Sequence, residues 1–220
     1  MTRTDIDGHF FFDSDRMPAA PRVVEVGAYS AHAAAPLLGR YPECRFAAVE
    51  ASRDGFDRLK AALAPFPGAV VLRCALAGAD GEVAFNEYEG GLDASSVFDR
   101  KAEGLVPART TKVEGLSLGS LLDRVGFPAV DLLLLNCEGA ELFALRQLVA
   151  DAGLRARVGQ VCVSFHCEHV RIYSREVRDE LLAWLYPCYD EWKGGDSLGY
   201  WLLVEKWNGA WWLPRQGGAR

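Results

Sequence analysis

No apolar run in this 220-residue sequence approaches the length of a membrane span. The amino terminus, MTRTDIDGHFFFDSDRMP, holds an apolar stretch too short for a signal peptide and flanked by acids, so a cytoplasmic protein is expected. No CxxC pair occurs among the six cysteines (Cys44, Cys74, Cys137, Cys162, Cys167, Cys188). Most of them sit in apolar runs, and reduced core thiols are preferred to a metal or disulfide set. A basic excess is also lacking. Lys and Arg number 24 against 30 Asp and Glu, a formal net charge of -6, which argues against a duplex nucleic-acid partner. There is no internal repeat and no linker-like stretch, and the length suits one domain with a substantial core.

What is present is an alternation of strand and helix signals. RVVEVG (22–27) reads as a buried strand, and SAHAAAPLLGRY (30–41) as a helix beginning at once, with Pro36 near its middle. RFAAVE and AVVLRCAL are the second and third strands, around a helix capped by Ser52 that turns Phe56, Leu59 and Leu63 inward. DGEVAFNEY alternates like a strand with one wet face. The segment EGGLDASSVFDRKAEGLVPAR has no period and has the length of a lid or acceptor loop. TTKVEG is a short strand, and SLGSLLDRVG a helix ending at Gly126. VDLLLLNCEG, the most apolar strand, is expected at the centre of the sheet. The helix AELFALRQLVADAG has Leu142, Leu145, Leu148 and Val149 inward. GQVCVSFH is a further strand, and a helix capped by Ser174 follows it. YDEWKG and YWLLVEKW close the pattern as a strand pair, and Asn208-Gly209 offers a turn into AWWLP. Such a pattern implies an α/β fold, a mostly parallel central sheet with helices on both faces and an antiparallel edge hairpin. The expected divisions are an amino-terminal extension (1–21), the domain proper (22–207) and a Trp-containing turn and tail (208–220). Trp207, Trp211 and Trp212 are expected to cover the sheet edge.

The first turn also lacks something. A dinucleotide fold wants GxGxxG, but the six positions here are Gly27, Ala28, Tyr29, Ser30, Ala31 and His32. Side chains at Tyr29 and His32 obstruct the approach of a pyrophosphate, so NAD and FAD are disfavoured. The other half of a nucleoside site is intact. Glu50 ends the second strand 23 residues after Gly27, near the spacing at which an acid meets a ribose diol. Charge-assisted hydrogen bonds there contribute on the order of 1.5–3 kcal/mol each. Glu25 adds a second negative charge. Two acids without a phosphate nest suit a cationic nucleoside, and S-adenosylmethionine (SAM) is one. The plainer alternative is that Glu25 and Glu50 are polar strand ends.

VVEVGAYSA, FAAVEAS, VVLRCALAGADGEVAF, Ser95-Ser96, DLLLLNCEGAEL and VSFH resemble, in that order, the FkbM-type methyltransferases, which are class I SAM-dependent enzymes. The similarity runs from about residue 22 to about residue 205, and its most specific element is EGAE, Glu138 to Glu141. The resemblance implies a Rossmann-like class I methyltransferase fold. It implies SAM as cofactor and S-adenosylhomocysteine as product. By the same resemblance Glu25, Gly27, Ala28 and Tyr29 belong to the first cofactor motif, Glu50 and Ala51 to the ribose side, and Cys74 and Ala75 to the adenine side. Ser95 and Ser96 fall in the acceptor loop. Family members typically O-methylate hydroxyls of sugars, polyketides or other secondary metabolites. Departures stand out: in the first motif, D-x-G-A-N-x-G, Glu25 replaces the acid, Tyr29 the Asn and Ala31 the Gly, and K-I-D-V-E-G becomes Leu134-Leu135-Asn136-Cys137-Glu138-Gly139, with Asn136 in the place of the aspartate and the lysine missing. Asn136 cannot take a proton, but it can position a hydroxyl or the SAM amino group.

That leaves His166, at the carboxyl end of a strand, as the expected base and acceptor contact; a strand-end histidine bonded to a neighbouring loop is the alternative. Glu138 is expected either to hold His166 or the acceptor, or simply to favour a helix amino terminus. HCEH raises a metal reading through His166, Glu168 and His169, but the set has no natural fourth member and no metal is expected. The expected partner is a small hydroxylated acceptor, with no nucleic acid and no membrane; a homodimer is left open. N-methylation, another SAM-dependent reaction and an inert SAM-binding partner subunit are the alternatives carried forward.

Overall fold

The chain, whose computed structural model describes residues 2–88, 94–167, 172–193 and 200–205, opens on a short antiparallel hairpin, β1 (Arg3–Asp5) and β2 (Phe11–Asp13). β3 (Arg22–Val26), α1 (Ala34–Arg40), β4 (Arg45–Val49), α2 (Arg53–Leu63) and β5 (Ala69–Leu72) then alternate. Next come β6 (Ala75–Leu76), β7 (Gly81–Tyr88) and β8 (Pro107–Leu116), which form a separate three-stranded side sheet in the order β6-β8-β7. α3 (Leu118–Arg124), β9 (Val130–Leu135), α4 (Glu141–Ala150), α5 (Ala152–Arg155), β10 (Val158–Ser164), α6 (Arg175–Leu185), β11 (Tyr189–Lys193) and β12 (Tyr200–Glu205) complete the order.

The main sheet has seven strands in the order β11-β12-β10-β9-β3-β4-β5. From β10 to β5 all neighbours are parallel. β12 pairs antiparallel with both β10 and β11. The expected edge hairpin is therefore present, with its strands in reversed places: α6 carries the chain past a gap to β11, and β12 returns to fill it. β9 is buried at every residue, as a strand covered on both faces should be.

Strand alternation divides the core. Val24, Val26, Leu133, Leu135, Val161 and Val163 pack with leucines of α3, α4 and α6 in one cluster. Val23, Phe46, Ala48, Leu132, Leu134 and Cys162 pack on the opposite side with α1, α2 and the amino-terminal hairpin. Phe10, Phe11 and Phe12 belong to this second cluster, and each is nearly inaccessible. Gln160 ties the hairpin to β10: the Asp13 amide donates to Oε1 at 2.8 Å, and Nε2 donates to the Asp13 carbonyl at 3.3 Å.

Several expectations change, among them the short strand expected at 110–115, which is the ten-residue β8. The helix after β3 starts at Ala34, four residues later than expected, because a turn intervenes; Pro36 thereby falls in the first helical turn, where it displaces no helical hydrogen bond. The run 69–76 is two strands, since β6 leaves the main sheet to pair with β8. The helix from Ala140 breaks at Asp151, whose extended backbone (φ -120°, ψ 106°) and side chain start α5 by accepting from the Leu154 amide at 3.0 Å. Ser52 caps α2 as expected, by accepting from the Gly55 amide at 3.0 Å. Ser174 occupies the corresponding position on α6 but makes no such bond. Among the described residues no helix is long and apolar enough to cross a membrane. The expected tail with Trp207, Trp211, Trp212 and the Asn208-Gly209 turn lies outside the described residues, as do Glu168 and His169.

Candidate active site

A cavity opens at the carboxyl ends of β3, β4 and β9, where the strand order reverses and open α/β sheets receive ligands. β3 and its following turn bring Glu25, Gly27, Ala28 and Tyr29 to the wall; β4 brings Glu50 and Ala51. The start of the side sheet brings Cys74 and Ala75, and the exit of β9 brings Asn136. Every residue expected on the cofactor side thus shares one cavity.

The local backbone explains this convergence. Gly27 has φ 78°, and a Cβ there would lie 1.9 Å from the Asn136 carbonyl oxygen, so only glycine lets the first turn rest on the exit of β9. The Asn136 amide donates to the Val26 carbonyl at 3.1 Å across the same junction. Two and four residues further, Tyr29 (φ 41°) and Ala31 (φ 58°) are left-handed. Those are the positions where the resembling family carries Asn and Gly, the residues that tolerate this region. The turn is kept despite the less suitable side chains. It aims the Tyr29 amide at Glu50 Oε2, 3.2 Å away, while the Ser52 amide donates to Oε1 at 2.8 Å. Glu50 is buried and held from two sides by amides, with its remaining lone pairs available to the cavity.

Glu25 differs. It is 3% exposed, and among the described residues its Oε2 has no hydrogen-bond partner. Burial, then the charges of Asp7 and Glu50, push its carboxyl well above the ordinary range. A buried acid in that condition accepts a cation readily. Cys74 and Cys137 also line the cavity, but burial pushes the first thiol up to about 12 and the second well above its ordinary value, so neither supplies a thiolate.

Glu138 and Ser95 line the same cavity. Glu138 is left-handed (φ 49°) at the turn between β9 and α4. Gly139 follows with φ 98°, and a Cβ there would meet the Phe98 ring edge at 2.8 Å and the Ile172 Cγ2 at 2.7 Å. Several bonds hold the strained turn. Ser96 Oγ donates to the Glu138 carbonyl at 2.6 Å. Arg100 Nη1 donates to Glu138 Oε2 at 2.9 Å, and Arg100 also grips Glu103 through Nε and Nη2. His166 Nε2 lies 3.0 Å from Glu138 Oε1, and its Nδ1 lies 2.8 Å from Glu141 Oε1. Tyr173 donates its hydroxyl to the same Glu141 oxygen at 2.7 Å. Ser95 Oγ is buried without a partner among the described residues.

This geometry revises the expectation for His166. Both ring nitrogens face carboxylates, and the residue stands behind Glu138, outside the cavity wall. Burial alone would lower its pKa. The charges of Glu141 and Glu138 outweigh that and push it up to about 10, so at neutral pH the ring is an imidazolium with no lone pair to offer. Glu141, entirely buried, is kept below the usual carboxylate range because His166 and the Tyr173 hydroxyl overcome the burial that would raise it. Ser96 also lies behind the wall, as a brace rather than a contact.

Sequence reasoning did not single out Asp7, His9 and Phe10, which line the cavity from the β1–β2 turn. Nor did it single out Arg100, Tyr173 or the role of Glu141. Glu141 did carry a signal: an acid in the first turn of an apolar helix, three residues from Glu138 and so able to reach the same partner. The turn residues stand in no informative spacing to the β3 motif.

Among curated proteins none matches the chain. Among solved structures, the precorrin-6y C5,15-methyltransferase from Geobacter metallireducens GS-15 is 11% identical, with a TM-score of 0.47 over 85% of this chain and 82% of that one. The human methyltransferase 10 domain containing protein is 14% identical, with a TM-score of 0.43 over 85% of this chain and 72% of that one. Residues 25–192 match the family model described as the methyltransferase FkbM domain. The chain therefore belongs to the FkbM methyltransferase family and is a SAM-dependent methyltransferase.

Proposed function

We propose that the enzyme transfers the methyl group of SAM to a hydroxyl of a small metabolite. The observation that carries the reading is the pairing of Glu25, buried with an oxygen that has no partner among the described residues, and Glu50, fixed by two amides, in one cavity. These residues fit a ribose bonded to Glu50 and a positive charge near Glu25. When bound, SAM supplies a methyl group already made electrophilic by its sulfonium. What remains for the protein is to bring the acceptor oxygen into line, which contributes several kcal/mol, and to receive its proton.

Ser95 Oγ and the Glu138 carboxylate support a hydroxyl acceptor, because together they offer one donor and one acceptor on the same wall. In this reading Glu138 is the group that would receive the proton the acceptor hydroxyl gives up. Arg100 and His166 are positioning residues that hold the carboxylate by one oxygen each. Asn136, beside them, orients the hydroxyl and takes no proton.

The test is calorimetry with SAM, S-adenosylhomocysteine and NAD. SAM should bind, NAD should not, and Glu50→Ala should weaken SAM about tenfold or more, the loss of one charge-assisted bond. Unchanged affinity in that variant rejects the ribose assignment. Product analysis over hydroxyl and amine acceptors then decides the class: a methyl ether supports the proposal, and an exclusively N-methylated product overturns its acceptor half.

A further inference from the structure

The family match begins at Glu25, yet Asp7, His9 and Phe10 reach the cavity from the hairpin before it. Strand geometry explains the meeting. Side chains on β3 alternate between faces, so Glu25 shares a face with Val23 and not with Val24 or Val26. Val23 packs in the same cluster as Phe10, Phe11 and Phe12, whereas Val24 and Val26 pack in the other. Glu25 is therefore directed to the side that the β1–β2 hairpin covers.

The hairpin turn is well fixed. Asp7 Oδ1 accepts from the amides of His9 at 3.0 Å and Phe10 at 2.8 Å, and Phe10 is 4% exposed. β2 is tied to β10 through Gln160, as described, and the Thr2 amide donates to Asp13 Oδ1 at 2.8 Å. Asp7, from its half-buried turn, and the buried Glu25 carboxyl, whose Oε2 meets no donor among the described residues, thus line one cavity. Two acids that share a cavity are unfavourable together unless a positive group with several donors joins them. An ammonium is such a group: a compact charge with three N–H bonds.

We infer that the β1–β2 turn is a wall of the cofactor site, and that Asp7 and Glu25 together seat the ammonium of the cofactor's amino-acid tail. The inference rests on the SAM reading above and adds to it a carboxylate from outside the matched family residues.

Two ligands isolate the tail. S-adenosylhomocysteine carries the ammonium on an amino-acid tail joined to the adenosine through an uncharged sulfur, and 5′-methylthioadenosine keeps the adenosine and the thioether without the tail. Calorimetry with the full chain should find both bound by the wild type. Asp7→Asn and Asp7→Ser each keep an oxygen for the His9 and Phe10 amides but remove the charge. Each should weaken S-adenosylhomocysteine about tenfold while changing 5′-methylthioadenosine by less than about twofold. The ratio of the two affinities is read within one preparation, so any loss of folded protein cancels. Equal weakening of both ligands would assign Asp7 to the shape of the cavity and overturn the inference. So would two unaffected affinities, which would leave the SAM reading standing. Failure of the wild type to bind either compound would remove the SAM reading itself, and this inference with it.

Discussion

On the side of the cavity proposed to hold the cofactor, Glu25 is buried with an oxygen that meets no donor among the described residues, and the charges that act on it are those of the acids Asp7 and Glu50. At the acceptor end Glu138, Glu141, Arg100, His166 and Tyr173 form a closed network in which each named charge has an opposite partner between 2.8 and 3.0 Å away. Similar residue types thus serve opposite ends. The unpaired acid raises the free energy of the ligand-free protein and releases that penalty when a cation arrives. The paired network holds its shape whether or not anything is bound. The contrast lies in Glu25 alone, whose Oε2 has no partner among the described residues, whereas the network acids are all paired.

The largest expected effect breaks the network side. Glu141→Gln leaves His166 without its buried anion and should cost about 3–5 kcal/mol in urea unfolding, as loss of one partner of a buried pair does. A loss below about 1 kcal/mol would show that the network is dispensable. The same side has a pH signature. His166 titrates at about 10 in the folded chain and near 6.5 when unfolded. Its contribution is complete below about 6.5 and is lost as the pH rises towards 10. Thermal melting should therefore decline across that window in the wild type, and less so in His166→Phe. A parallel decline in both proteins contradicts the assignment.

The cofactor side should answer in the opposite direction. Glu25→Gln removes an uncompensated buried acid and is expected to stabilise the ligand-free protein by about 1 kcal/mol, while weakening SAM about tenfold or more. Because the raised Glu25 carboxyl must ionise to meet a cation, wild-type binding should release a proton, read by calorimetry in two buffers of different ionisation enthalpy. The variant should not release it. Loss of both stability and affinity in Glu25→Gln would mean that the acid is a fold element. The smallest effect concerns the turn between the two ends: Ala31→Gly relieves a left-handed alanine and should add about 1 kcal/mol. No gain in melting temperature would show that the turn carries no strain.

Much of the fold was legible because buried parallel strands leave continuous apolar runs, as in VVEV and DLLLL, and because capping serines mark helix starts. The convergence of Gly27 and Glu50 on one cavity was legible because they sit at a spacing that the β3–α1–β4 unit imposes. The amino-terminal hairpin was not, since FFF shows no period and its contacts lie 147 residues away at Gln160. The role of His166 was not legible either: a strand-end histidine reads as a base until the partners of both nitrogens are known. The split of the third strand at Arg73 and Cys74 depends on pairing with β8, some forty residues on, which no local pattern announces.

That split has an evolutionary consequence. From residue 75 to residue 116 the chain runs through a side sheet whose first strand, with Ala75, already belongs to the cavity wall, while the segment that carries Ser95 and Arg100 connects β7 to β8. Changes confined to that connection can suit a new acceptor without replacing a strand of the main sheet. Diversification of substrate choice within such a lineage is expected to concentrate there.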